Sequence, residues 1–198
     1  MGHRTRGPGA HHEERRTQIA DAVLAVVAER GLAAVSQSEV AARAGVSPGR
    51  VQHYFPAKQG LIEAAFDRGN ALSSARIADA AGRAGGPRDV LAAVLTELIP
   101  YDEDTRAHMR VRQAFTSLAL SDEAIAERMR AEYGRFHRQV ADLLHGVGAA
   151  DPAAAAVSLT ALAEGLAYYV LIGAHPAASA RARVLAAIAE ACPADRSR

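Results

Sequence analysis

The 198-residue chain holds one cysteine, Cys192. An intramolecular disulfide is therefore impossible and a cysteine cage for zinc is excluded, so a buried helical thiol near the C-terminus is the expected role. No apolar run reaches the roughly 18 residues that a bilayer span needs. Residues 1–16 are polar and basic with no apolar stretch behind them, unlike a secretory leader. A cytoplasmic protein with no membrane partner is expected. Period-two alternation of β-branched residues is absent, which argues against strands. A phosphate-cradling glycine loop, a nucleophile elbow and a His-Glu-x-x-His pair are also missing. His11, His12, Glu13 and Glu14 are adjacent, and neighbours on a helix diverge by about 100°, so they do not converge on one ion. No metal, no cofactor and no catalytic residue are expected. The formal net charge is only +1, so bulk charge does not announce a nucleic-acid partner. Its distribution leans slightly: residues 1–68 carry nine Lys or Arg against seven Asp or Glu, and Lys58 is the only lysine.

What the chain does have is helical periodicity throughout, with 49% hydrophobic residues, enough for a packed core. The expected fold class is all-α, with about nine helices. Residues 1–12, rich in Gly and basic side chains, read as a disordered arm. A first helix at 13–30 carries Ile19, Val23 and Val27 on one face and stops at Gly31. Ser36 and Glu39 form a Ser-x-x-Glu capping box for a second helix at 37–44. Ser47 and Pro48 open a third that ends near Tyr54. Further helices are expected at 57–82, 87–99, 103–119, 122–145 (capped by Ser121), 152–173 (capped by Asp151) and 177–192. The domain division expected is 1–12 arm, 13–56 reader and 57–198 helical body.

Residues 36–55, SQSEVAARAGVSPGRVQHYF, are two short amphipathic helices joined by a tight turn at Gly45. That spacing builds a helix-turn-helix, whose second helix can enter a major groove. Val40, Ala44, Val46 and Val51 would lock the pair together. The outward side then shows Gly49, Arg50, Gln52, His53 and Tyr54. Arg and Gln suit paired contacts with guanine and adenine edges, while Ser, Tyr and Lys suit phosphates.

Residues 15–62 resemble the DNA-binding region of TetR-family transcriptional regulators. Four features carry the resemblance in register: the first helix ending in Gly31, the capped second helix, the Ala-Gly-Val-Ser turn at 44–47, and Tyr54-Phe55 before Lys58. The resemblance implies that helix three, with Ser47, Pro48, Gly49, Arg50, Gln52 and His53, reads double-stranded DNA. It implies a phosphate held at Ser36, Gln37 and Ser38, backbone contacts from Tyr54 and Lys58, and a core place for Phe55. The run from Arg50 to Phe55 is similar to that of choline-responsive members. Two positions depart from the pattern. Gln52 stands where many members have Tyr, and Ala57 replaces the usual hydroxyl cap before the lysine. Losing such a cap costs about 1 kcal/mol.

For the body, the resemblance implies an unknown small-molecule effector bound among helices five to eight. Candidate contacts are His108, Arg112, Phe115, Tyr133, Phe136 and Tyr168. Leu159, Leu162, Leu166 and Tyr169 on helix eight, with Val184, Leu185 and Ile188 on helix nine, are expected to form a homodimer interface, an isologous four-helix bundle. The function expected is a repressor released from a palindromic operator when the effector moves helix four. A helical enzyme carrying this unit and an effector-independent DNA binder are the alternatives, the first weakened by the lack of clustered ionisable groups.

Overall fold

The computed structural model describes residues 8–192. Among them are nine α-helices and no strand. In chain order these are α1 Pro8–Arg30, α2 Gln37–Ala44, α3 Pro48–Tyr54, α4 Lys58–Gly82, α5 Pro87–Thr96, α6 Glu103–Ala119, α7 Glu123–Gly146, α8 Pro152–Leu171 and α9 Ala177–Ala191. A short 3₁₀ turn, Leu32–Ala34, bridges α1 and α2.

The expected arm is corrected in part: α1 starts at Pro8 and takes in residues 8–12, while residues 1–7 lie outside the described residues. Tertiary contact accounts for the longer helix. The His12 ring lies 4.8 Å from that of Tyr54, and the Arg16 guanidinium lies 4.6 Å from the centre of the Phe55 ring. Those contacts hold the first turns of α1 against the end of α3.

α2 and α3 follow from their caps. The Ser36 hydroxyl accepts from the Glu39 N–H at 3.2 Å, and the Ser47 hydroxyl accepts from the Arg50 N–H at 3.3 Å. Only half of the expected capping box forms at Ser36, because the Glu39 carboxylate turns instead to Arg30 at 2.5 Å. A complete box stands at α6, where Asp102 and Thr105 cap each other's backbone. α7 is capped by Asp122 and not by Ser121: the carboxylate accepts from the N–H groups of Ala124 and Ile125, while Ser121 donates to the Leu118 carbonyl that ends α6.

Two apolar clusters form the core. The first gathers Val23 and Val27 of α1, Val40 and Val51 of α2 and α3, Leu61 and Phe66 of α4, Phe115 of α6 and Met129 of α7. The second gathers Leu91 and Val94 of α5, Val140 and Leu144 of α7, Leu159 and Ala163 of α8, and Val184 and Ile188 of α9. The reader's core thus continues past residue 57 into α4, α6 and α7. Burial of the second cluster overturns part of the expected interface: Leu159, Val184 and Ile188 lie inside the subunit. They sit where α8 and α9 meet the rest of the body. Cys192 is buried at the end of α9, and Arg88 donates to its carbonyl at 2.5 Å.

α8 is long and apolar enough, by length and composition, to cross a membrane, although Glu164 interrupts its apolar run. Its one charged residue, Glu164, is ion-paired inside the protein with Arg112.

The α2–α3 turn depends on Gly45, at φ 65° and ψ 35°. The Val46 N–H reaches the Ala41 carbonyl at 3.0 Å and the Gly45 N–H reaches Ala42 at 3.3 Å, the paired bonds of a Schellman end. A side chain at that left-handed position is strained by about 1 kcal/mol. Gly45→Ala is therefore expected to lower the unfolding free energy by about 1 kcal/mol, read by circular dichroism as a lower urea midpoint with an unchanged slope.

Candidate functional site

The three N-terminal helices are joined by side chains that satisfy carbonyls at helix ends, which have no partner within their own helix. Gln18 of α1 donates to the Ala44 carbonyl at 2.8 Å. Arg16 reaches the Tyr54 carbonyl at 3.4 Å, and Gln37 donates to the Phe55 carbonyl at 2.7 Å. These three polar residues were missed as organisers by sequence reading, since nothing in their spacing marks them. Gln37 was expected to hold a phosphate; its side chain is turned inward, leaving only its backbone N–H at the start of α2.

With the pair fixed in this way, Val51 of α3 is wholly buried while Gly49, Arg50, Gln52 and His53 are exposed. Ser36, Ser38, Ser47, Pro48 and Lys58 are exposed too, and Tyr54 is half-buried between the His12 and His53 rings. The α2 N-terminus and the first turn of α4 thus flank one face of α3. Ala57 gives α4 no side-chain cap, so its first N–H groups stay free beside Lys58.

A second feature lies deeper. A cavity of about 940 Å³ opens between α4, α5, α6 and α7. Of the residues expected to meet a ligand, His108, Arg112, Tyr133 and Phe136 line it. Two do not. Phe115 is fully buried in the first core cluster, stacked on Phe66 with ring centres 4.3 Å apart. Tyr168 is 49% exposed on α8, beside Tyr169. Helix four, not helix eight, completes the walls, through Asn70, Ser73, Ser74 and Ile77. Sequence periodicity could not find those residues, because a cavity wall and a solvated face look alike along one helix.

The charged groups at the inner end are matched. Arg112 donates to Glu164 from Nη2 at 2.6 Å and from Nε at 3.2 Å, and the Tyr133 hydroxyl lies 2.9 Å from both carboxylate oxygens. Burial works against the Arg112 charge, but the Glu164 carboxylate outweighs it and holds the guanidinium protonated more firmly than usual. Burial also raises the Tyr133 hydroxyl above its ordinary value. The His108 Nε2 lies 3.1 Å from Asn70 Oδ1. Its ring packs so closely on α4 that a Cβ at Gly69 would lie 2.1 Å from His108 Cδ2. Burial first, then the positive charges of Arg112 and Arg76, push the His108 pKa down to about 4.

The outer face of α8 and α9 exposes Val157, Tyr168, Tyr169, Ile172 and Leu185. Leu162 and Leu166 are partly buried against the second core cluster. Among the described residues, no group of three or more His, Cys, Asp or Glu could hold a metal ion.

Comparison with known proteins agrees with this architecture. Residues 19–65 match the family described as bacterial regulatory proteins, tetR family, and residues 87–193 match the BetI-type transcriptional repressor C-terminal family. The HTH-type transcriptional regulator BetI of Burkholderia cenocepacia is 31% identical over 160 residues, which cover 78% of this chain and 80% of that protein. The HTH-type transcriptional regulator PksA of Bacillus subtilis is 37% identical over 108 residues, spanning 54% of this chain and about half of PksA (53%). A transcriptional regulator from Rhodococcus superposes with a TM-score of 0.77 at 29% identity, covering 89% of this chain and 95% of its own. A regulator from Saccharomonospora viridis in complex with choline superposes at 0.76 and 21% identity, covering 90% and 96%, a likeness of fold.

His108 makes stability depend on pH. Unfolded, its ring titrates near 6.5; folded, near 4. Between those values the unfolded chain binds the proton and the folded chain does not, so stability falls as pH falls through that window. The loss by pH 4 is on the order of 3 kcal/mol. Urea unfolding at pH 7 and pH 4 should show His108→Gln losing less stability than the parent chain by about that amount.

Proposed function

This chain belongs to the TetR family of DNA-binding transcriptional regulators, and from that premise we propose that it is a repressor that grips a palindromic operator as a homodimer and releases it when a small molecule enters the cavity among α4, α5, α6 and α7. The observation that carries the reading is the stance of α3. Val51 faces the core while Arg50 and Gln52 face out on a helix only seven residues long. A helix held that way can be laid into a major groove, where Arg50 and Gln52 read base edges. Ser36, Ser38, Ser47, Tyr54 and Lys58, with the free N–H groups that open α2 and α4, hold phosphates on either side. Working on genomic DNA requires the cytoplasm.

On this reading residues 13–56 form the reader and residues 57–198 the ligand and partner body, with the early turns of α4 shared. That sharing supports the switch. Lys58 and Asn70 lie about 18 Å apart along one continuous helix. The first end faces the phosphates and the second faces the cavity. A ligand that prefers a tilted α4 changes the spacing of two paired readers, and it shifts the equilibrium only by its difference in affinity for the two arrangements. The exposed apolar outer face of α8 and α9 supports pairing of two copies about a twofold axis, with Tyr169, Ile172 and Leu185 at its centre and Gly165 permitting close approach.

Gel shifts with DNA upstream of the chain's own gene test the reading. Arg50→Ala should cost about 1–3 kcal/mol and relax base preference at one position of each half-site. Lys58→Ala should weaken all sequences alike and reduce the slope of log affinity against log salt by about 1. Ile172→Asp should give a folded monomer in sedimentation velocity with operator affinity lost. A parent chain that ignores duplex DNA at low salt would overturn the proposal.

A further inference from the structure

The cavity is built in two halves. Toward the reader, Asn70, Ser73, His108 and Arg112 present polar atoms. Ile77, Val90, Val94, Leu98 and Phe136 line the rest of the wall with hydrocarbon, beside Gln139 of α7. Asn70 and Ala81, both in the wall, are about 16 Å apart along α4, the length of a medium-chain aliphatic molecule.

The polar half leaves no charge for a ligand to neutralise. The Glu164 carboxylate is occupied on both oxygens, by Arg112 and by Tyr133, so an ammonium head finds no free anion there. Arg112 already has that carboxylate as partner, so a second anion would compete with Glu164 for one guanidinium in a poorly solvated place. Rim charges do not alter this: Glu132 and Arg135 pair with each other, and Arg138 and Asp142 are exposed. The aromatic walls are Tyr133 and Phe136, with the Arg112 guanidinium 5.4 Å from the Tyr133 ring centre, so that ring already faces a cation.

Neutral hydrogen-bonding capacity is what remains. With Asn70 Oδ1 accepting from Nε2, His108 carries its proton on Nε2 and offers the Nδ1 lone pair. Burial and the nearby Arg112 and Arg76 keep the ring uncharged at neutral pH. Ser73 and the unused N–H groups of Arg112 supply donors. A head that both donates one hydrogen bond and accepts others fits this set.

We propose that the cavity selects a neutral, hydroxyl-bearing amphiphile, its hydroxyl donating to His108 Nδ1 and its hydrocarbon body lying along α5 and the far half of α4. The inference rests on the reading of this cavity as the effector site. It also states how binding reaches the reader, since the hydroxyl sits against the His108–Asn70–Gly69 contact on α4.

The test is displacement of the neutral fluorophore N-phenyl-1-naphthylamine from the full-length protein by 1-decanol, decyl methyl ether, sodium decanoate, decyltrimethylammonium bromide and choline chloride, each below its micelle concentration. Decanol should bind at least about tenfold tighter than either charged C10 amphiphile, because a buried charge without its own partner is costly. His108→Leu should weaken decanol by about tenfold and leave the ether unchanged, since only the alcohol donates a hydrogen bond. Decanoate binding tighter than decanol at pH 7.5 and above, where almost none of it is the neutral acid, would overturn the neutral head in favour of an anion paired with Arg112 or with a protonated His108. Decyltrimethylammonium or choline binding tighter would overturn it in favour of a cation. Either result leaves the cavity as effector site. Ala78→Trp and Leu98→Phe, checked for folding by circular dichroism, should each block fluorophore binding. Unchanged displacement in both folded variants would overturn the effector-site reading together with this inference.

Discussion

One close approach organises the molecule: the His108 ring of α6 lies against α4 where residue 69 has no side chain. Any Cβ there would sit inside the ring's van der Waals surface, at 2.1 Å. α4 and α6 are thereby drawn together at a point between the two cores. On one side lie Phe66 and Phe115, stacked and packed with the helices that carry Val40 and Val51. On the other side lies the cavity, with Asn70 and Ser73 in its wall. Asp21 of α1 holds Arg68 at 2.6 Å on the same stretch of α4, so the reader is tied to the rod one residue before the glycine. A displacement of α4 at the cavity therefore cannot be absorbed locally. Packed cores move between discrete arrangements and do not deform continuously.

The sequence made the reader legible because local rules dominate there. Ser36, Gly45, Ser47 and Pro48 act within four residues of themselves, through caps and a left-handed turn, so the bounds of α2 and α3 follow from the text of residues 36–55. Long helices were legible for a related reason: 3.6-residue periodicity survives over many turns. Where polar residues compete for the same job the text is ambiguous. Ser121 and Asp122 can both cap α7, and the residue whose oxygen reaches two N–H groups wins. The first turns of α1 look like an arm because the contact that orders them, His12 on Tyr54, joins residues far apart in the chain.

The site in the body was only partly legible, and the failures share one cause. A helix's apolar stripe says that something covers it, and never what. On α8, Leu159 and Tyr169 belong to the same expected stripe, yet Leu159 packs inside the subunit while Tyr169 is 52% exposed. α8 is apolar nearly all round: one face packs against α5, α7 and α9, and the other is exposed. Tyr168 shares the outward face, which removes it from the cavity. Phe115 illustrates the converse: its spacing matches His108 and Arg112, but a bare aromatic ring is drawn into the core by Phe66.

Glu164 links these two aspects of α8. It is the only charge on that helix, and a carboxylate among so many apolar side chains survives because Arg112 and Tyr133 satisfy it. Breaking a buried pair by removing one partner leaves an uncompensated charge, which is far more costly than exchanging both for apolar groups of like volume. The ion pair and its tyrosine therefore add little if stability is their only role. What they add is direction: they tie α6 and α7 at the polar end of the cavity to the helix whose opposite face is left exposed. A group entering the cavity beside Arg112 bears, through one carboxylate, on the helix proposed to meet the second copy, and, through His108 and Gly69, on the helix that carries Lys58. On the proposed reading the cavity is thereby connected to both surfaces that a dimeric reader would have to align.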